Sequence, residues 1–440
     1  MQIRSYEVGR ALAGTCEWLL EHKIYRRWAA CDRGMLWIKG KPGSGKSTLL
    51  KYALDNHRPE GGTLVLSFFF HGRGDKLQKT PLGLFRSLLH QVLRQAPDAL
   101  QGLVNSFEKK SKENGEAGKD WHWHEEELRL FFESSLPKVL RTCAVWLFVD
   151  ALDECGKDNA VRLVEMFKSL LKSLPSHPVS LRQFRICFTC RHYPILDLDE
   201  SVFGICTEDE NQEDISTFVD NQLASFRART TSTIPVLITK RASGVFMWAC
   251  LVVKRVLDLD RDGFGLKKIE AAVYSIPPDL DELYRQLIRG MESASLKLIQ
   301  WICFAMRPLS IDELRWAMVI EAGCPHRSLR ACQDEGDYIP ERVRMGRQVL
   351  TLSRGLAEVT DTEVVQFIHQ SVKDFFVDKG LSALDGSLAT EAAIRAHFRF
   401  SKICIRYLAM EEIGQSTSYD ASDFPFLRYA TTSWVAHTKR

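Results

Sequence analysis

The sequence predicts a doubly wound α/β domain built on a parallel sheet, followed by a largely helical half. Three observations predict it. A strand, a glycine-rich loop and a helix follow one another in "MLWIKGKPGSGKSTLLKYAL" (35–54). A second apolar run, "VWLFVD" (145–150), ends on an aspartate, with Asp153 and Glu154 just beyond. Other apolar runs of strand length alternate with helical periodicity, the signature of βαβ units, until helical periodicity dominates from about residue 212.

The elements follow in chain order. Met35 to Ile38 read as a short buried strand, and Leu49, Leu50 and Ala53 mark one face of the helix after the loop. Between them, Gly40 to Ser47 fit G-x-x-x-x-G-K-S, and Thr48 follows. Glycines there let consecutive backbone N–H groups turn inward around a phosphate, and the helix adds its positive end. In that pattern Lys46 reaches the β- and γ-phosphates and the Ser47 hydroxyl binds Mg²⁺. "TLVLSFFFH" (63–71) reads as a strand buried on both faces. "PLGLFRSLLHQVLRQ" reads as a helix carrying Phe85, Leu88, Leu89, Val92 and Leu93 on its stripe.

Residues 107–127 are polar and broken by glycine, so an exposed loop is expected there. His122 and His124 at i and i+2 make an incomplete zinc site; packing of Trp121 and Trp123 at a helix start is the favoured reading. In the strand at 145–150, Asp150 sits at the C-terminal end, where it holds Mg²⁺ through water. Asp153 and Glu154 are placed to take a proton from an attacking water. Clustered carboxylates repel one another, and a bound divalent ion gives them a reason to gather. "RQFRICFTCR" (182–191) is a further strand. Its Cys187 and Cys190 form C-x-x-C away from a helix N-terminus, which argues against a redox motif. Arg191 at its end either meets the γ-phosphate or forms a surface salt bridge.

Composition narrows the class. A chain of 440 residues exceeds one compact core and suits two to four units. A formal charge of +3 gives neither a nucleic-acid stripe nor a polybasic membrane patch. No apolar stretch approaches a bilayer span and no secretory h-region opens the chain. Twelve scattered cysteines read as reduced thiols of a cytoplasmic protein.

In the second half, "DISTFVDNQLASF", "GVFMWACLVVKRVL" and "LDELYRQLI" carry apolar stripes, and Leu296, Ile299, Cys303 and Met306 share a face. "IPPDL" (276–280) breaks the chain, with Asp279 able to cap the next helix. His369 lies beside the apolar residues Phe367, Ile368, Val372, Phe375 and Phe376, where a structural or capping role is the ordinary one. Near the end, Phe426, Tyr429, Ala430, Trp434 and His437 form an aromatic face that either folds back on earlier helices or docks on another partner.

With those residues assembled, the chain resembles the fungal members of the NACHT family, STAND-type P-loop NTPases that include the NOD-like receptors. "LWIKGKPGSGKST", "FVDALDEC", "ICFTCRHYP", "RASGVFMWACLVV", "RPLSIDELRWAM" and "VQFIHQSVKDFF" carry the resemblance. It implies an N-terminal helical linker (1–30), a P-loop NTPase domain (31–200), a helical domain (201–290), a winged-helix domain (291–380) and a C-terminal helical segment (381–440) leading toward repeats. Gly40, Lys41, Pro42, Gly43, Ser44, Gly45, Lys46, Ser47 and Thr48 are implied to bind nucleotide, with His369 on the β-phosphate of bound NDP. Ser47 and Asp150 are implied metal ligands, while Lys46, Asp153, Glu154 and Arg191 are implied to serve slow hydrolysis. The cofactors implied are Mg²⁺ with ATP or GTP, ADP or GDP at rest. The implied partners are further copies of the chain and the repeat or effector domains of a larger receptor. Signalling in non-self recognition or programmed cell death follows from the same likeness. Many relatives carry Gly-x-Pro where this chain has Gly244, Val245 and Phe246, so base choice stays open. Two other readings stand beside the switch: a non-hydrolysing nucleotide-bound scaffold, and a small-molecule kinase, for which no arginine-rich lid is evident.

Overall fold

The computed structural model describes residues 5, 8–56, 62–174, 181–192, 202–229, 232–335, 338–386, 388–415 and 423–440. It divides into two units, Met1–Pro278 and Asp279–Arg440. The principal elements of the first are α1 (Lys23–Ala30), β1 (Arg33–Lys39), α2 (Lys46–Asn56), β2 (Thr63–Phe69), α3 (Pro81–Gln95), α4 (Gln101–Asn114) and α5 (Glu125–Val139). They continue with β3 (Ala144–Asp150), α6 (Lys157–Ser173), β4 (Phe184–Cys190), β5 (Val202–Cys206), α7 (Gln212–Gln222), α8 (Ile234–Ala242), α9 (Phe246–Arg261) and α10 (Leu266–Ser275).

The five strands form one sheet in the order β2-β3-β4-β1-β5, every neighbouring pair parallel. Alternation along each strand splits the core between the two faces. Leu66, Leu147, Val149 and Ile186 pack with Phe85 of α3, Phe132 of α5 and Phe167 of α6. Leu36, Ile38, Phe148 and Cys187 pack on the other face with Trp28 of α1 and Leu49, Leu50 and Ala53 of α2. Each such side chain contributes about 1.5–3 kcal/mol on burial, enough to fix strand register. That register brings the C-terminal tips level: Lys39 pairs with Cys190 and Cys206, and Phe69 with Asp150. The doubly wound parallel sheet expected from the sequence is therefore present, with its strand tips on one edge.

Two parts differ from expectation. The segment expected as a loop is helical in α4 up to Asn114, and α5 already begins at Glu125. No residue of α4 is fully buried, so periodicity could not reveal it. It is held instead by Phe107 against Trp121 (5.8 Å) and by Lys110 over the rings of Trp121 and Trp123. His124 caps α5 in a box with Glu127, and Trp121 packs on Trp123 as expected at a helix start. The other difference is β5, which sequence reading did not anticipate. Its five residues, VFGIC, are apolar but make only a short run broken by Gly204, and only Ile205 is buried.

The second unit contains α11 (Leu280–Ile288), α12 (Ser293–Phe304), α13 (Ile311–Val319), α14 (Arg342–Leu352), a hairpin of β6 (Ala357–Val359) and β7 (Val365–Phe367), α15 (Gln370–Phe375), α16 (Ala389–Leu408) and α17 (Leu427–Thr438). Asp279 caps α11 by accepting from the Glu282 N–H at 3.0 Å, as the sequence suggested. The helix α12 is buried nearly all round, with Leu298 and Trp301 inside as well as Ile299 and Cys303, while Leu296 and Met306 are only half-buried. The single stripe expected there was too narrow. Even Lys297 is buried, its ammonium donating to the Met318 and Ile320 carbonyls and to Glu321. Burial pulls its pKa down to about 8. The terminal aromatic face folds back: α17 lies along α16, and Trp301 stacks on Phe400 at 3.7 Å with Phe426 and Tyr429 edge-on.

Candidate functional site

Level strand tips place the turns that follow them side by side. After β1 the chain enters Gly40–Gly45 and then the first turn of α2. Gly43 and Gly45 have φ of +77° and +93°, a region that L side chains rarely adopt. A Cβ at Gly40 would stand 2.0 Å from Thr207 Oγ1. The loop is thus folded as an inward-turned cradle that only glycine permits at these positions. Lys46, at its end, donates from Nζ to the Gly40 and Lys41 carbonyls at 2.9 and 2.7 Å. Burial lowers its pKa; Asp153, Asp150 and Glu208 oppose that shift, and Arg191 adds to it. Lys46, Asp150, Asp153 and Arg191 thus lie near enough to act on one another's charge.

Asp150 is fully buried at the end of β3, where Oδ1 accepts from the Thr189 hydroxyl at 2.6 Å. The same hydroxyl accepts from the Ala151 N–H at 2.7 Å, and Ala151 is itself left-handed at φ +51°. A sharp turn then aims the next two acids. Asp153 grips Arg191 twice, accepting from its backbone N–H at 3.1 Å and pairing with Nε at 2.9 Å. The ion pair of Arg191 is thus with an acid of the candidate site itself. Glu154 accepts from the Gly72 N–H at 2.5 Å. Ser47 and Thr48 lie in the first turn of α2, half-buried, with Pro42 half-buried and Lys41 exposed in the loop before them. His369 belongs to the second unit, where it caps α15: Nδ1 accepts from the Ser371 N–H at 3.1 Å. The residues Tyr193 and Pro194 of the segment after Arg191 lie outside the described residues.

The donor set fits a magnesium–nucleotide. A hydroxyl and a buried carboxylate are the hard oxygen ligands Mg²⁺ takes, and the glycine cradle with Lys46 suits a polyphosphate. Among the described residues one other group has metal-ligand chemistry: His192, Cys206 and Glu208, within 4.8 Å of one another. His192 Nε2 already meets Glu208 Oε1 at 2.5 Å, and Glu208 Oε2 accepts from the Lys41 N–H at 3.1 Å. That trio is a hydrogen-bonded buttress of the loop. Burial disfavours the Glu208 carboxylate, but hydrogen bonds from His192 and the backbone outweigh it and hold its pKa below the usual range.

The sequence reading missed the segment after β5. Thr207 Oγ1 donates to the Lys39 carbonyl and lies 2.6 Å from Ser44 Oγ. Asn211 Nδ2 donates to the carbonyls of Ser44 and Gly244 at 2.8 and 2.9 Å. The Met247 N–H at the start of α9 donates to the Gly43 carbonyl at 2.9 Å. A Cβ at Gly244 (φ +78°) would be 2.4 Å from Glu208 Cβ, so this glycine allows the segments to touch. A Thr-Glu pair and a lone Asn carry no motif, and nothing in their spacing could have flagged them.

Residues 14–191 match the family model described as Nephrocystin 3, N-terminal, and residues 282–394 match the winged helix domain of GPI inositol-deacylase. The vegetative incompatibility protein HET-E-1 of Podospora anserina is 25% identical over 398 residues, 85% of this chain and 27% of that protein. The chain thus spans about a quarter of that relative's length. Among solved structures, a STAND protein with a tetratricopeptide repeat sensor from Pyrococcus horikoshii aligns at a TM-score of 0.44 and 14% identity, over 92% of this chain and 49% of its own. The ORC2 protein of Aeropyrum pernix, in ADPNP and ADP complexes, aligns at 0.33 and 13%, over 87% and 94%. No helix among the described residues is long and apolar enough to cross a membrane.

Proposed function

The chain carries a NACHT-type P-loop domain and a winged-helix domain, and on that premise we propose that it is a nucleotide-operated signalling switch. It binds ATP or GTP with Mg²⁺, hydrolyses it slowly and oligomerises when the triphosphate is held. One observation carries the reading: the glycine cradle, the buried Asp150 and the Asp153–Arg191 pair converge on one edge of the sheet. The setting proposed is cytoplasmic, in non-self recognition or programmed cell death; a relative named as a vegetative incompatibility protein supports this reading. The five-part division, 1–30, 31–200, 201–290, 291–380 and 381–440, is part of this proposal.

The residues divide the work. Loop N–H groups and Lys46 hold the phosphates, with Lys46 exchanging its two carbonyl acceptors for phosphate oxygens. Ser47 and Asp150 would hold Mg²⁺, which when bound neutralises charge developing on the phosphates. Asp153 positions Arg191; when the guanidinium turns to a γ-phosphate the carboxylate is released to accept a proton. Glu154, fixed by the Gly72 N–H, is the second acid beside the attacking water. The alternative is a scaffold that keeps nucleotide without cleaving it, and the intact pair of acids favours the switch.

Mass spectrometry of nucleotide released from the purified full chain tests binding and identifies the base. Single-turnover assays with radiolabelled nucleotide then separate switch from scaffold. Phosphate release with parental binding supports the switch; bound nucleotide with no release over hours supports the scaffold.

A further inference from the structure

We propose that the turn Thr207–Asn211 is the coupling strap of the phosphate site, and that Asn211 is the positioning residue that transmits loop occupancy to α9. The inference rests on the nucleotide reading above and extends it to a residue outside every motif in the sequence.

The argument begins with a side chain that forgoes its ordinary role. Asn211 stands at the N-cap of α7, where an asparagine usually accepts from the first helical N–H groups. It makes no such bond. Its amide is turned inward instead, 4% exposed, and Nδ2 bridges the Ser44 and Gly244 carbonyls. Both neighbours are acceptors, so the amide orientation is settled by chemistry: only the NH₂ end can face them. Asn211 Oδ1 is buried without a hydrogen-bond partner among the described residues. Giving up the cap and burying an unmet oxygen each cost on the order of 1 kcal/mol. Joining two loops is what the residue gains in return.

Those two loops are the ones that matter. Ser44 belongs to the phosphate cradle, and Gly244 leads directly into α9. A second bond runs parallel to the bridge, from the Met247 N–H to the Gly43 carbonyl. Gly43 is so close to Met247 that a Cβ there would lie 2.6 Å from the Met247 Cβ. At the other end of the turn, Thr207 contacts Ser44 and Glu208 holds the Lys41 N–H. Any movement that aligns loop N–H groups on a phosphate moves the carbonyls of the same peptides. Ser44 and Gly43 carbonyls are the ones held by Asn211 and Met247. Loop occupancy and the position of the α9 N-terminus are therefore mechanically joined, with Asn211 as the side chain in the joint.

Hydrogen–deuterium exchange on the full chain, with and without saturating MgADP or MgGDP, tests this. In the unaltered protein the nucleotide is expected to slow exchange at 43–48 and also at 244–252. In Asn211→Ala, and in Asn211→Asp, which keeps the shape and loses the donor, protection at 43–48 persists at saturation. Protection at 244–252 falls to the nucleotide-free level. Two results would overturn the proposal: an unaltered chain protected at 43–48 alone, or variants that keep protection in both segments. Because the first is read on the unaltered protein, the test survives a variant that fails to fold. A chain that binds neither nucleotide would remove the proposed function and this inference with it, whereas the other negative results leave the function standing.

Discussion

Lys46 and Gly43 show how different physical demands meet in one loop. Lys46 is a half-buried residue whose ammonium pKa is lowered by desolvation, and two carbonyls and three nearby carboxylates make its charge tolerable. Replacing it with alanine removes a desolvated charge, so the fold is expected to persist while nucleotide binding drops below detection. Equilibrium dialysis alongside circular dichroism checks both halves; binding within tenfold of the parent would remove Lys46 from the phosphate site. Gly43 is constrained by backbone and by space together. Gly43→Ala imposes about 1–2 kcal/mol for the left-handed backbone and a clash with Met247 besides. A melting midpoint lower by at least about 2–4 °C is expected, given the usual scaling for a unit of this size. An unchanged midpoint would mean that the loop relaxes freely. The acids obey the same reasoning. With Asp153→Ala and Glu154→Ala combined, nucleotide is expected to bind and remain uncleaved, and parental turnover would reassign the general base.

At the scale of elements, legibility followed the strength of the apolar signal. The strands β1 to β4 are seven-residue runs whose faces are nearly all buried, and each was readable from sequence. The elements that escaped are those held by other means: α4 by Lys110 and aromatic contacts, β5 by backbone pairing to β1, and β6–β7 as three-residue strands. Likewise, the cradle and acidic tip were legible because phosphate chemistry restricts which residues serve there. The Thr207–Asn211 strap was not, because side chain-to-carbonyl bonds can be made by many residue types. The helix α17 was readable as an amphipathic face, but only the fold decides what it covers. Its polar core is a directional chain. The Met306 N–H donates to Tyr429 Oη, which leaves the tyrosine proton for His437 Nε2 at 2.8 Å, and His437 Nδ1–H then points at His397 Nδ1, also 2.8 Å away. Desolvation first, then His397 and Arg440, push His437 down to about 3. The unfolded imidazole titrates near ~6.5, so between those values the unfolded chain binds the extra proton. Stability from this group is full above about 6.5 and is lost as pH falls toward 3. The melting midpoint of the parent is therefore expected to fall between pH 7 and 5. His437→Phe should start lower and fall less steeply; parallel slopes would place the titration elsewhere.

For the whole molecule, the question is what a bound nucleotide does beyond its pocket. A charge of +3 over 440 residues gives little self-repulsion, so net charge would offer little resistance to the proposed assembly of copies. The family likeness implies that His369 would meet the β-phosphate of a bound diphosphate, while the fold shows the ring as the cap of α15. These duties can be pulled apart. His369→Leu removes both, and cap loss alone costs about 0.5–2 kcal/mol, so a loosened nucleotide in that variant could reflect a weakened fold. His369→Asn keeps a capping oxygen and removes the imidazole reach. If the ring holds diphosphate, His369→Asn should melt near the parental midpoint, release a fluorescent diphosphate several-fold faster, and shift toward oligomers when triphosphate is added. Stopped-flow release and light scattering on the same preparation measure this. Parental release from His369→Asn, with faster release from His369→Leu alone, would leave His369 as the cap of α15 and nothing more.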